Sequence, residues 1–262
     1  MKILIVSGFL GAGKTTFIKR LARNVDQRFA ILENEYGAAG IDGARLGQNR
    51  QGTQKNVWEM TEQCICCIGK KDFAASVLTI ANVVDPEYLI VEPTGVGSLA
   101  RIIENLRQIE YERIQLLSPV TIVDVYSYRR YMAEYPELYQ DQIRSADTII
   151  VSKTEACQAE EKQRIQKFLQ EINPQAKIIT DYASTMTWED YQSLLLGGRY
   201  EKEVQDTQSG EKMPETFSFE NIRMEAPETL WCFLEQIIRG AFGNIIRAKG
   251  QFAAGDQFLP VS

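Results

Sequence analysis

The chain has no histidine among its 262 residues. Imidazole is therefore unavailable as a metal ligand. Any metal must rest on thiolates, carboxylates, water or a group from a partner. Long apolar runs are also missing. None reaches the roughly 20 residues that cross a bilayer as a helix. The N-terminal run Ile3–Val6 is too short for the core of a signal peptide, and glycines and a lysine follow it closely. There is no excess of positive charge: 29 Lys and Arg face 35 Asp and Glu, for a net charge of −6 at pH 7. This balance argues against nucleic acid or a membrane surface as a partner. No internal repeat or low-complexity tract is present. Apolar residues make up 44% of the chain, enough for a sizeable core. A cytoplasmic globular protein is expected.

Cysteines are few, yet three of the five crowd into Glu-Gln-Cys-Ile-Cys-Cys-Ile-Gly-Lys-Lys at 62–71. Cys157 and Cys232 stand alone. Five thiols cannot all pair. Adjacent Cα atoms, as in Cys66 and Cys67, lie about 3.8 Å apart, below the usual disulfide span. In a reducing compartment such a cluster points to metal or redox chemistry.

Apolar strands alternate with amphipathic helices. Strands are expected over 2–7, 29–33, 57–60, 88–92, 120–125, 148–152 and 177–180. Helices are expected over 14–24, 71–84, 98–108, 126–133, 137–145, 158–172 and 188–196. This order predicts an α/β fold with a mainly parallel sheet covered by helices on both faces. Residues 34–56 are rich in Gly, Ala and Gln and read as a long loop. The polar stretch 197–214 reads as a linker. Beyond it, 215–223, 227–238 and 244–252 read as strand, helix and strand. The expected domains are a P-loop domain over 1–197, a linker over 198–214 and a small α+β module over 215–262.

Gly8-Phe-Leu-Gly-Ala-Gly-Lys-Thr-Thr matches GxxxxGK[ST] between a predicted strand and helix. In such a loop, backbone N–H groups and the helix N-terminus cradle phosphate oxygens. Gly8, Gly11, Ala12, Gly13, Lys14, Thr15 and Thr16 are the candidate nucleotide-binding residues. Lys14 reaches the β- and γ-phosphates, and the Thr15 hydroxyl binds Mg²⁺. Glu92-Pro-Thr-Gly95 ends an apolar strand, where ligands bind in open α/β sheets. Lys14, Glu92 and Gly95 are thus the candidate catalytic residues, Glu92 near the Mg²⁺ and the Gly95 N–H toward the γ-phosphate. Asp124 ends the next apolar strand, with structural capping as its alternative role. Ser152-Lys153-Thr154-Glu155 follows a further strand, where GTPases carry NKxD. A carboxylate there accepts two guanine hydrogen bonds that adenine cannot donate, which favours GTP over ATP. Ser152, Lys153 and Glu155 are the candidate base-binding residues.

Together, GFLGAGKTT, ENEYG at 33–37, CICC at 64–67 and EPTG at 92–95 resemble the CobW family of GTPases, relatives of the nickel-insertion GTPases for urease and hydrogenase. The resemblance covers about residues 1–185 and continues weakly over 217–250, where the last module resembles a short CobW C-terminal domain. It implies GTP-dependent metal handling and delivery to a client metalloprotein, with links to zinc homeostasis, cobalamin synthesis and metalloenzyme maturation. By match, Cys64, Cys66 and Cys67 are the metal ligands, and Glu33 and Glu35 lie in a segment that responds to nucleotide or metal. Zn²⁺ is expected first, with Co²⁺ or Ni²⁺ as alternatives. Three thiolates leave a position for water, Glu35 or a client's ligand, which suits transfer better than storage. The chain departs from the family in carrying SKTE for NKxD and in lacking a histidine-rich stretch.

The implied cofactors are GTP or GDP, Mg²⁺ and a transition metal. Partners are the nucleotide and the client, with a homodimer as one open assembly. The implied mechanism is a switch: the γ-phosphate holds residues 34–56 and the EPTG turn in one state, and slow hydrolysis releases them. Two other readings stay open. One is an assembly factor for a cobalamin-using or other metalloenzyme system, with structural cysteines. The other is an ATP-dependent small-molecule kinase. A redox pairing of Cys64 with Cys67 is also open.

Overall fold

Lys2–Gly8 forms β1, the middle strand of a mainly parallel sheet. The computed structural model describes residues 1–25, 27, 29–33, 58–61, 70–204, 223–224, 226–243, 245–246, 248, 250–254 and 257–261. After β1 come α1 (Lys14–Asn24), β2 (Phe29–Glu33), β3 (Trp58–Thr61), α2 (Lys70–Val83), β4 (Tyr88–Glu92) and α3 (Leu99–Arg107). There follow β5 (Gln115–Leu116), β6 (Val120–Asp124), α4 (Tyr128–Glu134), α5 (Pro136–Arg144) and β7 (Thr148–Ser152). The unit closes with α6 (Ala159–Ile172), β8 (Lys177–Ile179), α7 (Tyr182–Thr185) and α8 (Trp188–Leu196).

The strand order is β3-β2-β4-β1-β6-β7-β8, and β5 pairs with β1. Every pairing in this sheet is parallel. The chain first winds outward through β2 and β3, returns to β4, then winds the other way from β6 to β8. The direction reverses around β1, so the ligand crevice falls at its carboxyl end.

Alternation along the strands sends side chains to two cores. On one face Leu4, Val6, Ile31, Ile90 and Ile122 pack with Phe17, Ile18 and Leu21 of α1 and Tyr191 and Leu195 of α8. On the other, Ile3, Ile5, Leu32 and Val91 pack with Phe73, Val77 and Ile80 of α2 and Leu99, Ile103 and Leu106 of α3. Each fully buried side chain of this size contributes about 1.5–3 kcal/mol. Both faces of the sheet are thus covered, as an α/β fold requires.

Up to residue 196 the expected boundaries recur within one or two residues, whereas the strand expected over 244–252 begins only at Gly250 and most of the one expected over 215–223 lies outside the described residues. Helix α4 begins at Tyr128 because Asp124 first folds the chain back on itself. Its carboxylate accepts Tyr126 N–H at 2.9 Å and the Ser127 hydroxyl at 3.0 Å. The polar stretch after α8 starts as part of the same body. Tyr200 is 2% exposed, and its hydroxyl donates to the Ser145 carbonyl at 2.8 Å. One aromatic anchor is easily hidden in a run of charged residues.

The described residues up to 204 form one compact unit, and those from 223 onward a second. The second holds β9 (Arg223–Met224), α9 (Pro227–Ile238), β10 (Gly250–Ala254) and β11 (Gln257–Val261). β9 pairs with β10 in parallel, and β10 with β11 antiparallel. The last strand was not expected from sequence.

Candidate functional site

The loop after β1 carries the phosphate-site residues. Gly8 ends the strand at φ +142°, and a Cβ there would sit 2.4 Å from the Ile122 carbonyl oxygen. Only glycine fits this approach. Gly11 and Ala12 make the turn, with Ala12 N–H donating to the Phe9 carbonyl at 3.1 Å. Gly13 is the N-cap of α1. The helix N-terminus therefore opens into the loop, where its first-turn N–H groups and dipole favour an anion. Lys14 is 6% exposed, and its ammonium donates to the Gly8 and Phe9 carbonyls at 3.0 and 3.4 Å. Thr16 is exposed.

Glu92 comes to the same place from β4. The Thr15 hydroxyl donates to its two carboxylate oxygens, at 3.1 and 3.2 Å. A hydroxyl and a carboxylate at this separation are hard oxygen donors of the kind Mg²⁺ takes beside water and phosphate oxygens. Gly95 lies against the loop crest: a Cβ on it would meet Leu10 N at 2.5 Å. The turn and the phosphate loop are thus in backbone contact.

The base-side residues form a second group. Ser152, in the asparagine position of NKxD, donates its hydroxyl to the Ala12 carbonyl at 2.6 Å. This bond ties the end of β7 to the phosphate loop. Lys153 takes a left-handed φ of 60°, and its ammonium meets the Asp124 carboxylate at 2.6 Å. Asp124, 5% exposed, thus holds Lys153 as well as the turn before α4. The contacts of Asp124 match the capping alternative. Thr154 is buried and Glu155 exposed. Asp181, after β8, bonds the Lys162 ammonium at 2.6 Å. Hydrogen bonds from Lys162 and Thr154 hold its carboxyl below the ordinary value.

Sequence reasoning missed the support of the phosphate loop. Phe9 is buried against Tyr131, Tyr135 and Tyr139, with ring centroids 4.1, 5.5 and 5.8 Å away. Tyr131 also donates its hydroxyl to the Leu10 carbonyl at 3.1 Å. Burial holds the Tyr139 phenol well above its ordinary pKa, and the Asp124 charge adds to this. These tyrosines recur every fourth residue, but Tyr131 lies on α4, Tyr135 at the break before Pro136 and Tyr139 on α5, so no single helix face unites them.

Cys64, Cys66, Cys67 and Glu35 lie outside the described residues. Among the described residues, no group of three His, Cys, Asp or Glu side chains is placed to hold a metal. No described helix is long and apolar enough to cross a membrane.

The chain is similar to known proteins. The chain is 30% identical over 178 residues to the zinc chaperone YeiR of Escherichia coli, covering 67% of this chain and 53% of that protein. It is 27% identical over 194 residues to the zinc chaperone CobW of Pseudomonas aeruginosa, covering 63% and 52%. It therefore spans about half the length of these curated relatives. Among solved structures, the Zn(II)-bound YjiA GTPase of E. coli matches with a TM-score of 0.56 at 19% identity, over 98% of this chain and 83% of that one. The hydrogenase maturation factor HypB of Archaeoglobus fulgidus matches at 0.51 and 20% identity, over 75% and 89%. These two likenesses concern the fold. The family model described as CobW/HypB/UreG, nucleotide-binding domain, matches residues 2–180. With a glycine loop at the reversal point of a parallel sheet and that match across most of its length, the chain belongs to the CobW/HypB/UreG family.

Proposed function

We propose that the protein is a GTP-hydrolysing metallochaperone, which binds a transition metal at Cys64, Cys66 and Cys67 and couples nucleotide state to its delivery to a client protein. Residues 8–16 hold the phosphates, with Lys14 at the β- and γ-phosphates. Ser152, Lys153 and Glu155 form the base side, where Glu155 pairs with guanine. Thr15 and Glu92 hold Mg²⁺, which supplies charge neutralisation at the phosphate oxygens. The Gly95 N–H faces the γ-phosphate. Residues 1–197 form the nucleotide domain and 215–262 a CobW-like module.

One observation carries the coupling. In the sheet register, Glu33 of β2 lies beside Glu92 of β4 on one side and Thr61 of β3 on the other. All three strands therefore end level, at the edge that holds the Thr15–Glu92 pair. The segment with Glu35 leaves from β2, and Cys64 follows three residues after β3. Neighbouring strands are about 4.8 Å apart, so the cysteine segment starts roughly 10 Å from Glu92. Cys64 is thus three positions in sequence from a strand end level with Glu92. Zn²⁺ is the first candidate cargo, because thiolates suit it and the relatives are named zinc chaperones.

Calorimetry of Zn²⁺ binding tests this, with GDP, with a non-hydrolysable GTP analogue and without nucleotide. The expected result is a change in Zn²⁺ affinity of about fivefold or more between the two nucleotides, a typical coupling energy. The Cys66→Ala protein should lose tight binding in every state. Equal Zn²⁺ affinity in all three conditions would remove the coupling. Unchanged affinity in Cys66→Ala would remove the thiolate site.

A further inference from the structure

A small polar cluster lies beneath the EPTG turn. Gln142 of α5 is 1% exposed. Its side-chain N–H group donates to two carbonyls of the turn, Gly95 at 3.2 Å and Gly97 at 3.0 Å. Its backbone carbonyl accepts the Thr121 hydroxyl at 2.9 Å. Thr121 in turn is the register partner of Ser7, the residue before Gly8. The preceding residue, Asp141, accepts the Leu99 and Ala100 N–H groups at 2.7 and 3.5 Å. Two consecutive residues of α5 thus hold both ends of the segment from Gly95 to Ala100.

An amide is a costly choice for a buried position on a helix, and a leucine would fill the space without desolvation loss. The hydrogen bonds to the two carbonyls give the amide its use. They leave a cost unmet: the Gln142 Oε1 and the Ser7 hydroxyl are buried and have no hydrogen-bond partner among the described residues. Buried polar atoms in that condition call for an explanation, as does the Asn105 Oδ1 of α3. Gln142 and Ser7 both belong to elements that touch the phosphate loop or the turn against it. Gly95 has no room toward Leu10. The height of the turn over the loop is therefore set from below, by the Gln142 donors.

The geometry points to Gln142 as a positioning residue for GTP hydrolysis. Buried beneath the turn, it acts through the turn. By holding the Gly95 and Gly97 carbonyls it fixes the Gly95–Val96 and Gly97–Ser98 peptides, and through the Gly95 Cα it limits the rotation of the preceding Thr94–Gly95 peptide, whose N–H serves the γ-phosphate. This rests on the reading above that the EPTG turn faces that phosphate. Since GDP lacks the γ-phosphate, GDP binding does not depend on the clamp.

The test uses the full chain and two replacements. Gln142→Met keeps the length and removes the donors, while Gln142→Glu sets a carboxylate against two carbonyls. Steady-state GTP hydrolysis is measured, with dissociation constants for fluorescent GDP and for a non-hydrolysable GTP analogue. In Gln142→Met, kcat should fall about tenfold, as for one lost hydrogen bond in the transition state. Analogue affinity should fall about fivefold while GDP affinity stays within about twofold. Gln142→Glu should be worse in the same pattern. Thr121→Val, which removes only the hydroxyl bonded to the Gln142 carbonyl, should show the pattern weakly and covers the case of a poorly folding Gln142 variant. Equal losses for GDP and analogue, or an unchanged kcat, overturn the proposal. Gly95→Ala separates it from the underlying reading. If that variant still tells GDP from the analogue as the wild type does, the turn does not sense the γ-phosphate and both fall. If it loses the distinction and Gln142→Met keeps it, only the role of Gln142 falls.

Discussion

Two carboxylates flank the phosphate strand, and the chain has put them to different uses. Glu92 ends β4 on one side of β1, and Asp124 ends β6 on the other. Both close apolar strands at the edge where ligands bind. Glu92 is half-buried and takes a neutral hydroxyl from Thr15. A hydroxyl–carboxylate contact is readily exchanged for a cation between the two groups. Asp124 is buried and bonded to the Lys153 ammonium, the Tyr126 N–H and the Ser127 hydroxyl. A carboxylate with a cation and two further donors is already satisfied. The position at a strand end marks a candidate. The two strand ends thus differ in what they hold: the Thr15 hydroxyl at Glu92, and the Lys153 ammonium, the Tyr126 N–H and the Ser127 hydroxyl at Asp124.

Substitutions sharpen this contrast. The largest effect belongs to Glu92→Gln, which should lower the kcat of GTP hydrolysis roughly hundredfold or more, the scale of a positioned acid–base or metal-holding carboxylate. Its melting temperature should barely move, because an amide still accepts from Thr15. A variant that melts early yet hydrolyses GTP normally would reverse the roles assigned to the two strand ends. Asp124→Asn should show the opposite split. It keeps acceptor capacity but leaves Lys153 without a counter-charge. Urea unfolding should show a loss of about 1–2 kcal/mol, with the ion-pair part small because Lys153 is half exposed. Hydrolysis should fall much less than in Glu92→Gln. If Asp124→Asn abolishes hydrolysis at unchanged stability, Asp124 is a second catalytic carboxylate and the comparison breaks.

The smallest effect concerns Asp181, which bonds Thr154 and Lys162 beside the end of β7. Its carboxyl is held below the ordinary value, so the ionised form is favoured by folding. The resulting stability is present above the unfolded pKa of about 3.9 and is lost as pH falls through the lower folded value. Asp181→Asn should therefore melt slightly below wild type at neutral pH, by under about 1 kcal/mol for this partly exposed pair. The two curves should converge on acidification below about pH 4. A gap that widens toward acid would contradict the assignment.

Much of the fold was legible because it rests on local signals. The apolar run Tyr88–Val91 before Glu92 reads as a buried strand, and Leu99, Ile102, Ile103 and Leu106 recur at helical spacing. Both elements form where expected. The short strand β5 was missed since two residues carry no period. Strand β11 was missed although Gly255-Asp256 separates two apolar runs, a common hairpin signal. The phosphate loop was legible in full, because its chemistry needs consecutive residues. The contacts of Ser152 and Lys153 were not legible. Nothing in SKTE says that Ser152 will bond the carbonyl of Ala12, 140 residues away. Gln142 gave no signal at all, being one glutamine in a polar helix.

The sequence by itself determined the alternation of strands and helices, the phosphate loop and the two carboxylates at strand ends. These depend on spacing within a few residues, where periodicity and backbone geometry act directly. Only the tertiary structure decided which carboxylate meets the Thr15 hydroxyl and which meets Lys153. It alone brought Phe9 onto three tyrosines and set Gln142 beneath the turn. Those choices depend on strand order and on helices meeting across the sheet. A hydrogen bond forms only within about 3 Å, and no rule of sequence spacing brings residues 29, 47 or 77 positions apart to that distance.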